Sequence, residues 1–294
     1  MFDNSGQDIL QPIDMCVGGM IHFIQVKHVK QVKEDTVIRK CKEEDRTKIV
    51  EYLQKEPIYH TFLLSDLECY GFDREFQQVY VQEEAGVCEG VVLRYYNNLI
   101  LSDFERTPKC EEIAKLVTSE ITTVMGKSEI AEQVMEQVDK PWTITRNTLY
   151  VHQHMKRFPK KGGTIRKAGK EDIDRIYEFL MTFPETKSLY AEKGMIENRI
   201  CGTEGFHIIM EKDGVIIAHG NSAAATDQTC MIGGICVAES MRGKGCAKEI
   251  LYTLCEEIRR QGKIPCIFAL EKEQYSIFEE LGFEKYGRWG VAKV

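Results

Sequence analysis

Residues 229–262 read TCMIGGICVAESMRGKGCAKEILYTLCEEIRRQG, and three patterns follow one another in them. The run TCMIGGICV (229–237) is apolar, rich in β-branched residues and of strand length. From Ala247 on, Ala247, Ile250, Leu251, Leu254, Cys255 and Ile258 recur at helical spacing as one apolar stripe, and Gly262 is placed to close that helix. Between strand and helix stands MRGKGC (241–246). Glycine frees the backbone and removes the side chain that would block a close approach. The first amides of a helix have no partner inside it and carry the positive end of its dipole. The predicted strand, glycine corner and helix therefore form a seat for an anion.

The neighbouring sequence fills in a sheet around this corner. FHIIMEK (206–212) and VIIAHGNSAAA (215–225) flank Asp213-Gly214, a two-residue hairpin signal. IPCIFAL (264–270) is a buried strand, EQYSIFEELG (273–282) a second helix, and FEKYGRWGVAKV (283–294) a closing strand pair. Upstream, TIRKAGKEDIDRIYEFL (164–180) reads as a short strand, a polar turn and an amphipathic helix.

That last segment occurs twice. VIRKCKEEDRTKIVEYL (37–53) aligns with it without a gap; Ile38, Arg39, Lys40, Glu44, Asp45, Ile49, Glu51 and Leu53 meet identical residues at Ile165, Arg166, Lys167, Glu171, Asp172, Ile176, Glu178 and Leu180. Self-similarity of this kind predicts two copies of one fold. In the first copy FQQVYVQ, GVVLRYY and NLILSDF are strand-like, and Ile113, Leu116, Val117, Ile121 and Val124 predict a helix ended by Gly126. Its corner, FERTPKCEE (104–112), has no glycine, so no backbone cradle is expected there. KRFPKKGG (156–163) has the composition of a connector. The expected organisation is a poorly specified leader over 1–35, a first copy over 36–158 and a second over 164–294.

Composition narrows the partners. The chain has 294 residues, 43% hydrophobic and 29% charged, enough for a folded protein with a substantial core. A net charge of −7 argues against nucleic acid, which needs a basic surface. CVGGMIHFIQV (16–26) lacks a basic flank and is too short to span a bilayer, so no membrane is expected. The 11 cysteines contain no CxxC pair and several fall within apolar patterns, which points to thiols in a reducing compartment, the cytoplasm. His152 and His154 alternate on a strand, but no third ligand accompanies them, so they are read as ordinary surface or interface histidines and no metal is expected.

The segment VAESMRGKGCA, followed by an apolar helix, a strand and FEELGF, resembles the GNAT superfamily of N-acetyltransferases. Its signature R/Q-x-x-G-x-G/A is met by Arg242, Gly243, Lys244, Gly245, Cys246 and Ala247. The resemblance implies an α/β fold, here two tandem domains, each a mixed, mostly antiparallel twisted sheet flanked by helices, with the first copy degenerate. It implies acetyl-CoA as co-substrate and an amine acceptor, in a monomer or homodimer. The amides of 242–247 would hold the pyrophosphate, and the strand end at Ile235, Cys236 and Val237 would face the pantetheine. Phe278 stands on the cofactor side where the family often has a tyrosine that protonates the leaving thiolate, and Glu271 where it often has asparagine. Tyr275 or water is therefore the candidate acid. Glu239, just past the strand, is the candidate base, with Asp227 second. A Walker loop is set aside because Ala238 and Gly245 stand where glycine and a hydroxyl belong, and a dinucleotide fingerprint because position 248 is Lys248. Two readings stay open: an N-acyltransferase, and a CoA-binding sensor or scaffold whose chemistry has lapsed.

Overall fold

The repeated segment folds in the same way in both places, and its identical residues explain why. In the computed structural model, which describes residues 37–154, 164–187, 193–202, 205–271 and 276–294, Arg39 pairs with Asp45 at 2.7 Å and Glu83 at 2.6 Å. Arg166 pairs likewise with Asp172 at 2.6 Å and Glu211 at 2.8 Å. Each aspartate also accepts a main-chain amide three residues back, from Lys42 and Gly169, both at 2.9 Å. The guanidinium beside each holds Asp45 and Asp172 below the usual carboxylate range. Ile49, Leu53, Ile176 and Leu180 are fully buried, so the matching apolar positions are the core stripe of each helix.

The first half runs β1 (Val37–Lys40), α1 (Arg46–Leu53), α2 (Thr61–Tyr70), β2 (Gln77–Glu84), β3 (Val87–Tyr95), β4 (Asn98–Leu101), α3 (Cys110–Ala114), β5 (Thr123–Lys127), α4 (Ser128–Met135) and β6 (Thr143–His152). The second runs β7 (Thr164–Lys167), α5 (Ile173–Leu180), α6 (Pro184–Lys187), α7 (Gly194–Cys201), β8 (His207–Lys212), β9 (Val215–Ala225), β10 (Thr229–Val237), α8 (Cys246–Arg260), β11 (Ile264–Leu270), α9 (Ser276–Leu281) and β12 (Phe283–Lys293). Asp213 (φ 51) and Gly214 (φ 75) make the expected tight turn between β8 and β9.

Both halves share one 12-stranded sheet, ordered β1-β2-β3-β4-β5-β12-β6-β11-β10-β9-β8-β7. Replacing each strand by its repeat counterpart and reading from the other end returns the same order. Each half thus lends its last strand to the other. β6 pairs antiparallel with β11, as at Val151↔Cys266, and β12 pairs antiparallel with β5, as at Gly290↔Gly126. The two lent strands pair with each other at the centre. Asp35–Val294 forms one compact unit.

The helices divide between the two faces. The apolar sides of α1, α2, α5 and α7 cover one face; those of α3, α4, α8 and α9 cover the other. On the first face, Tyr59 and Phe62 reach across to Leu149, Val151, Met231 and Cys266, and Thr61 shares a hydroxyl contact of 2.9 Å with Thr229.

Two expectations are corrected here, and glycine misleads in both. The closing segment is one strand, Phe283–Lys293, not a pair: Gly287 sits at a bulge where a Cβ would lie 1.5 Å from the Tyr59 hydroxyl, and Gly290 lies against Ser128. The pairing partner comes from the first half. The predicted helix over 113–124 stops at Ala114, and Val124 and Gly126 lie in β5. A Cβ at Gly126 would be 2.9 Å from that of Leu101, so this glycine permits close strand packing and ends no helix. The leader, the connector and Tyr275 lie outside the described residues.

Candidate functional site

The site begins where β10 and β11 part. They pair in parallel only from Thr229↔Ile264 to Ile232↔Ile267. Beyond that, β11 follows β6 to Leu270↔Asn147, while β10 follows β9 to Val237↔Ala218. A gap opens between Gly233–Val237 and the end of β11. On its other side β10 carries a bulge: Gly233 faces Asn221 and Cys236 faces His219, so Gly234 and Ile235 stand opposite Gly220 alone. Gly234 has φ 59, a left-handed conformation that favours glycine. Ile235 and Val237 are half-buried toward the α8 face, whereas Cys236 is buried toward α5 and α7.

At the end of β10 a single turn, Glu239–Met241, leads to the glycine corner. Gly243 has φ 74 and Gly245 φ 89, and Gly245 caps α8. A Cβ added at either would meet nothing within 4 Å, so conformation alone selects glycine here, with a side chain costing about 1–2 kcal/mol. The amides of Arg242 and Lys244 turn back to Glu239 and Met241 carbonyls at 3.2 and 3.4 Å. Those of Gly243, Gly245 and Ala247 find no acceptor among the described residues. Arg242 and Lys244 are exposed beside them, and Lys248 pairs with Glu280. Cys246 is buried in the core, and burial pushes its thiol up, which suits a small packing residue and not a nucleophile.

The candidate catalytic groups fall unequally around this gap. Glu239 is exposed, at the corner end of β10. Asp227 is exposed before the first residue of β10, at the end remote from the gap. Glu271 is tied to Arg288 at 3.0 Å. Phe278 is 6% exposed and packs 4.9 Å, centre to centre, from Tyr150 and 5.8 Å from Phe283. Tyr150 belongs to β6, so the first half lends a phenol to the surroundings of Phe278. His152 on the same strand is an interface residue: Arg259 donates to its Nδ1 at 2.8 Å, and its Nε2 donates to the Leu281 carbonyl at 3.1 Å. Among the described residues no group of three or more His, Cys, Asp or Glu is placed to hold a metal.

A polar cluster beneath α7 was not anticipated. His207 Nδ1 lies 2.7 Å from His219 Nε2, and His219 Nδ1 lies 2.8 Å from the Gly234 carbonyl. An oxygen of that kind only accepts, so His219 carries its proton on Nδ1, His207 must donate from its own Nδ1, and His207 Nε2 is left as an acceptor. That atom is buried without a partner. Desolvation lowers His219 to about 4 and His207 to about 2, with Arg199 adding to both. Asn221, on the same face, donates to the Ser222 carbonyl at 2.9 Å. The available sequence signal was the alternation of His219 and Asn221 inside an otherwise small and apolar strand.

Residues 171–283 match the model of the acetyltransferase (GNAT) family. A search of curated protein sequences finds no match. Among solved structures, a Drosophila protein superposes with a TM-score of 0.61 at 12% identity, covering 88% of this chain and 99% of its own. A tandem GNAT protein from the clavulanic acid biosynthesis pathway gives 0.57 at 12%, covering 88% and 98%. A GNAT-family acetyltransferase from Colwellia psychrerythraea gives 0.55 at 14%, covering 87% and 98%. The shared property at these identities is the fold: a mixed, mostly antiparallel sheet flanked by helices, in tandem.

Proposed function

We propose that this chain, whose second half carries a GNAT-family domain, transfers an acetyl group from acetyl-CoA to a primary amine of a small molecule or peptide by direct attack. The observation that carries this reading is the continuity of three features: a gap between β10 and β11, a bulge beside it, and a corner whose left-handed glycines leave three amides open. The amides of Gly243, Gly245 and Ala247, with Arg242 and Lys244, take the diphosphate at the positive end of α8. The free edge of β10 at Ile235 and Val237 pairs with the pantetheine amides, and Phe278 packs behind the cofactor side.

Holding amine and thioester together supplies most of the acceleration, roughly 7–11 kcal/mol for well-oriented reactants. Glu239 takes the ammonium proton through solvent at the corner end of β10. As the nitrogen–carbon bond forms and the carbon–sulfur bond breaks, the thiolate needs a proton. Tyr150 is assigned to donate it, with Tyr275 as the alternative, a contribution of about 10²–10⁴-fold. The reduced thiols of the described cysteines suit a reducing compartment such as the cytoplasm.

A second reading, a CoA-binding sensor or scaffold, draws on Phe278, which has no proton to give. Calorimetry with CoA and a turnover assay over a panel of amines separate the two. Binding with acetyl transfer supports the enzyme; binding without transfer to any amine supports the sensor; no binding removes both.

A further inference from the structure

We propose that the buried couple His207–His219 is a positioning device for acyl transfer: by holding the Gly234 carbonyl it aims the Ile235 amide into the gap, at the thioester oxygen. This rests on the acetyltransferase reading above. The bulge removes one ladder partner from β10, and an unpaired carbonyl inside the sheet is unfavourable. His219 supplies the missing donor at 2.8 Å. No peptide bond in the described chain is cis, so the carbonyl of Gly234 and the amide of Ile235 point in opposite directions. Since the carbonyl points to the β9 side, the amide points to the side that β11 has left. His207 fixes the tautomer: its Nδ1–H occupies His219 Nε2 at 2.7 Å and leaves the proton of His219 on Nδ1.

The first half is an internal control. Lys40↔Tyr80 and Val81↔Val91 correspond in register to Lys167↔Ile208 and Ile209↔His219. The counterparts of His207 and His219 are therefore Val79 and Val91, both fully buried. There β3 and β4 pair from Val92↔Leu101 to Tyr95↔Asn98, and at Val91 the ladder closes locally, with the Ser102 amide donating to the Val91 carbonyl and the Val91 amide to the Ser102 hydroxyl, both at 2.8 Å. Valines serve where Ser102 closes the strand end, and the two imidazoles stand where the Gly234 carbonyl has been turned toward β9. A strand pair by itself does not need a couple whose last nitrogen is buried without a partner.

The experiment compares His219→Val, which installs the first-half residue, with His219→Asn, which restores a donor at the δ position, and with His207→Val. Steady-state kinetics give kcat and the KM for acetyl-CoA, and amide NMR follows Ile235 during acetyl-CoA titration. His219→Val should lower kcat about 100-fold, on the scale of one misplaced oxyanion donor, with KM for acetyl-CoA within threefold. His219→Asn should recover at least tenfold of that loss, and His207→Val should fall between. If His219→Val does not fold, the Asn and His207 variants carry the comparison. Wild-type kcat in His219→Val, an Asn variant as slow as Val, or a loss confined to KM would each overturn the device. Should the wild type turn over no amine, the activity reading fails by itself. The device is then decided by NMR: an Ile235 amide that shifts with acetyl-CoA in the wild type but not in His219→Val upholds it, and one that shifts alike in both, or in neither, overturns it.

Discussion

The two strand-to-helix corners of this molecule stand at matching places in one fold and differ in how many backbone amides they consume and in the charge beside those left open. At residues 104–110 most amides are consumed from within: Phe104 donates to the Asp103 carboxylate at 3.0 Å, Glu105 to the Glu89 carbonyl at 2.9 Å, Lys109 to Gln82 Oε1 at 2.8 Å and Cys110 to the Pro108 carbonyl at 2.9 Å, while Pro108 has none and those of Arg106 and Thr107 find no acceptor among the described residues. Asp103 is itself enclosed, its carbonyl accepting from Tyr52 at 2.7 Å, its amide donating to His60 at 2.9 Å and its carboxylate pairing with Lys127 at 2.6 Å. The short α3 begins with Glu111 and Glu112, which disfavour an anion. At residues 242–247 the glycines hold amides open, and exposed basic side chains stand beside them. One fold can therefore present a site or close it, depending on where a few donors go.

The largest way to break the comparison is to separate its halves. Residues 164–294 alone lack β6, which removes Tyr150 and leaves the β11 edge and Arg259 without their partners. That fragment should show no cooperative urea transition, and co-expression with residues 36–158 should restore one. A fragment that folds cooperatively by itself would reduce the strand exchange to decoration.

Next in size is Gly245→Asp, which combines strain at φ 89 with a charge facing phosphate. CoA affinity by calorimetry should fall at least 100-fold, about 2.7 kcal/mol. Lys109→Asp at the first-half corner should change it less than twofold. Tyr150→Phe should reduce kcat by about 100-fold, the lower end of the range for a lost proton donor, and leave CoA affinity unchanged; equal kcat would move that role to Tyr275.

A smaller effect sharpens the comparison through pH. Burial holds His152 and His219 down to about 4 and His207 to about 2, and Arg259 and Arg199 respectively oppose their protonation. The unfolded chain protonates near pH 6.5 while these sites stay neutral, so stability is full above that pH and declines as pH falls toward 4. Each histidine contributes a slope of about 1.4 kcal/mol per pH unit. His60 in the first half shares the direction. Urea midpoints between pH 7 and 5 should be flatter in a His207→Val, His219→Val double variant; an unchanged slope would mean that both imidazoles charge in the folded state.

What could be read from the chain followed the periodicity. The repeat, the β8–β9 hairpin and α8 were legible because apolar spacing and Asp213-Gly214 are local signals. So was the corner, since two glycines at a helix start have few other uses. What was illegible depends on distant contacts. Gly126, Gly287 and Gly290 look like breaks in sequence, yet each makes room for a group from elsewhere in the fold. The exchange of β6 and β12 leaves no local mark, so Tyr150 could not be connected with Phe278. His207 and His219 are separated by a hairpin, and only the register places them side by side.

The central claim is that the open amides at 242–247 receive the diphosphate of coenzyme A while the first-half corner does not. A crystal structure with acetyl-CoA tests it most directly. The account predicts diphosphate oxygens within hydrogen-bonding reach of the Gly243, Gly245 and Ala247 amides, with the thioester beside Ile235. A nucleotide seated at residues 104–110, or a vacant 242–247 corner at saturating ligand, would contradict it.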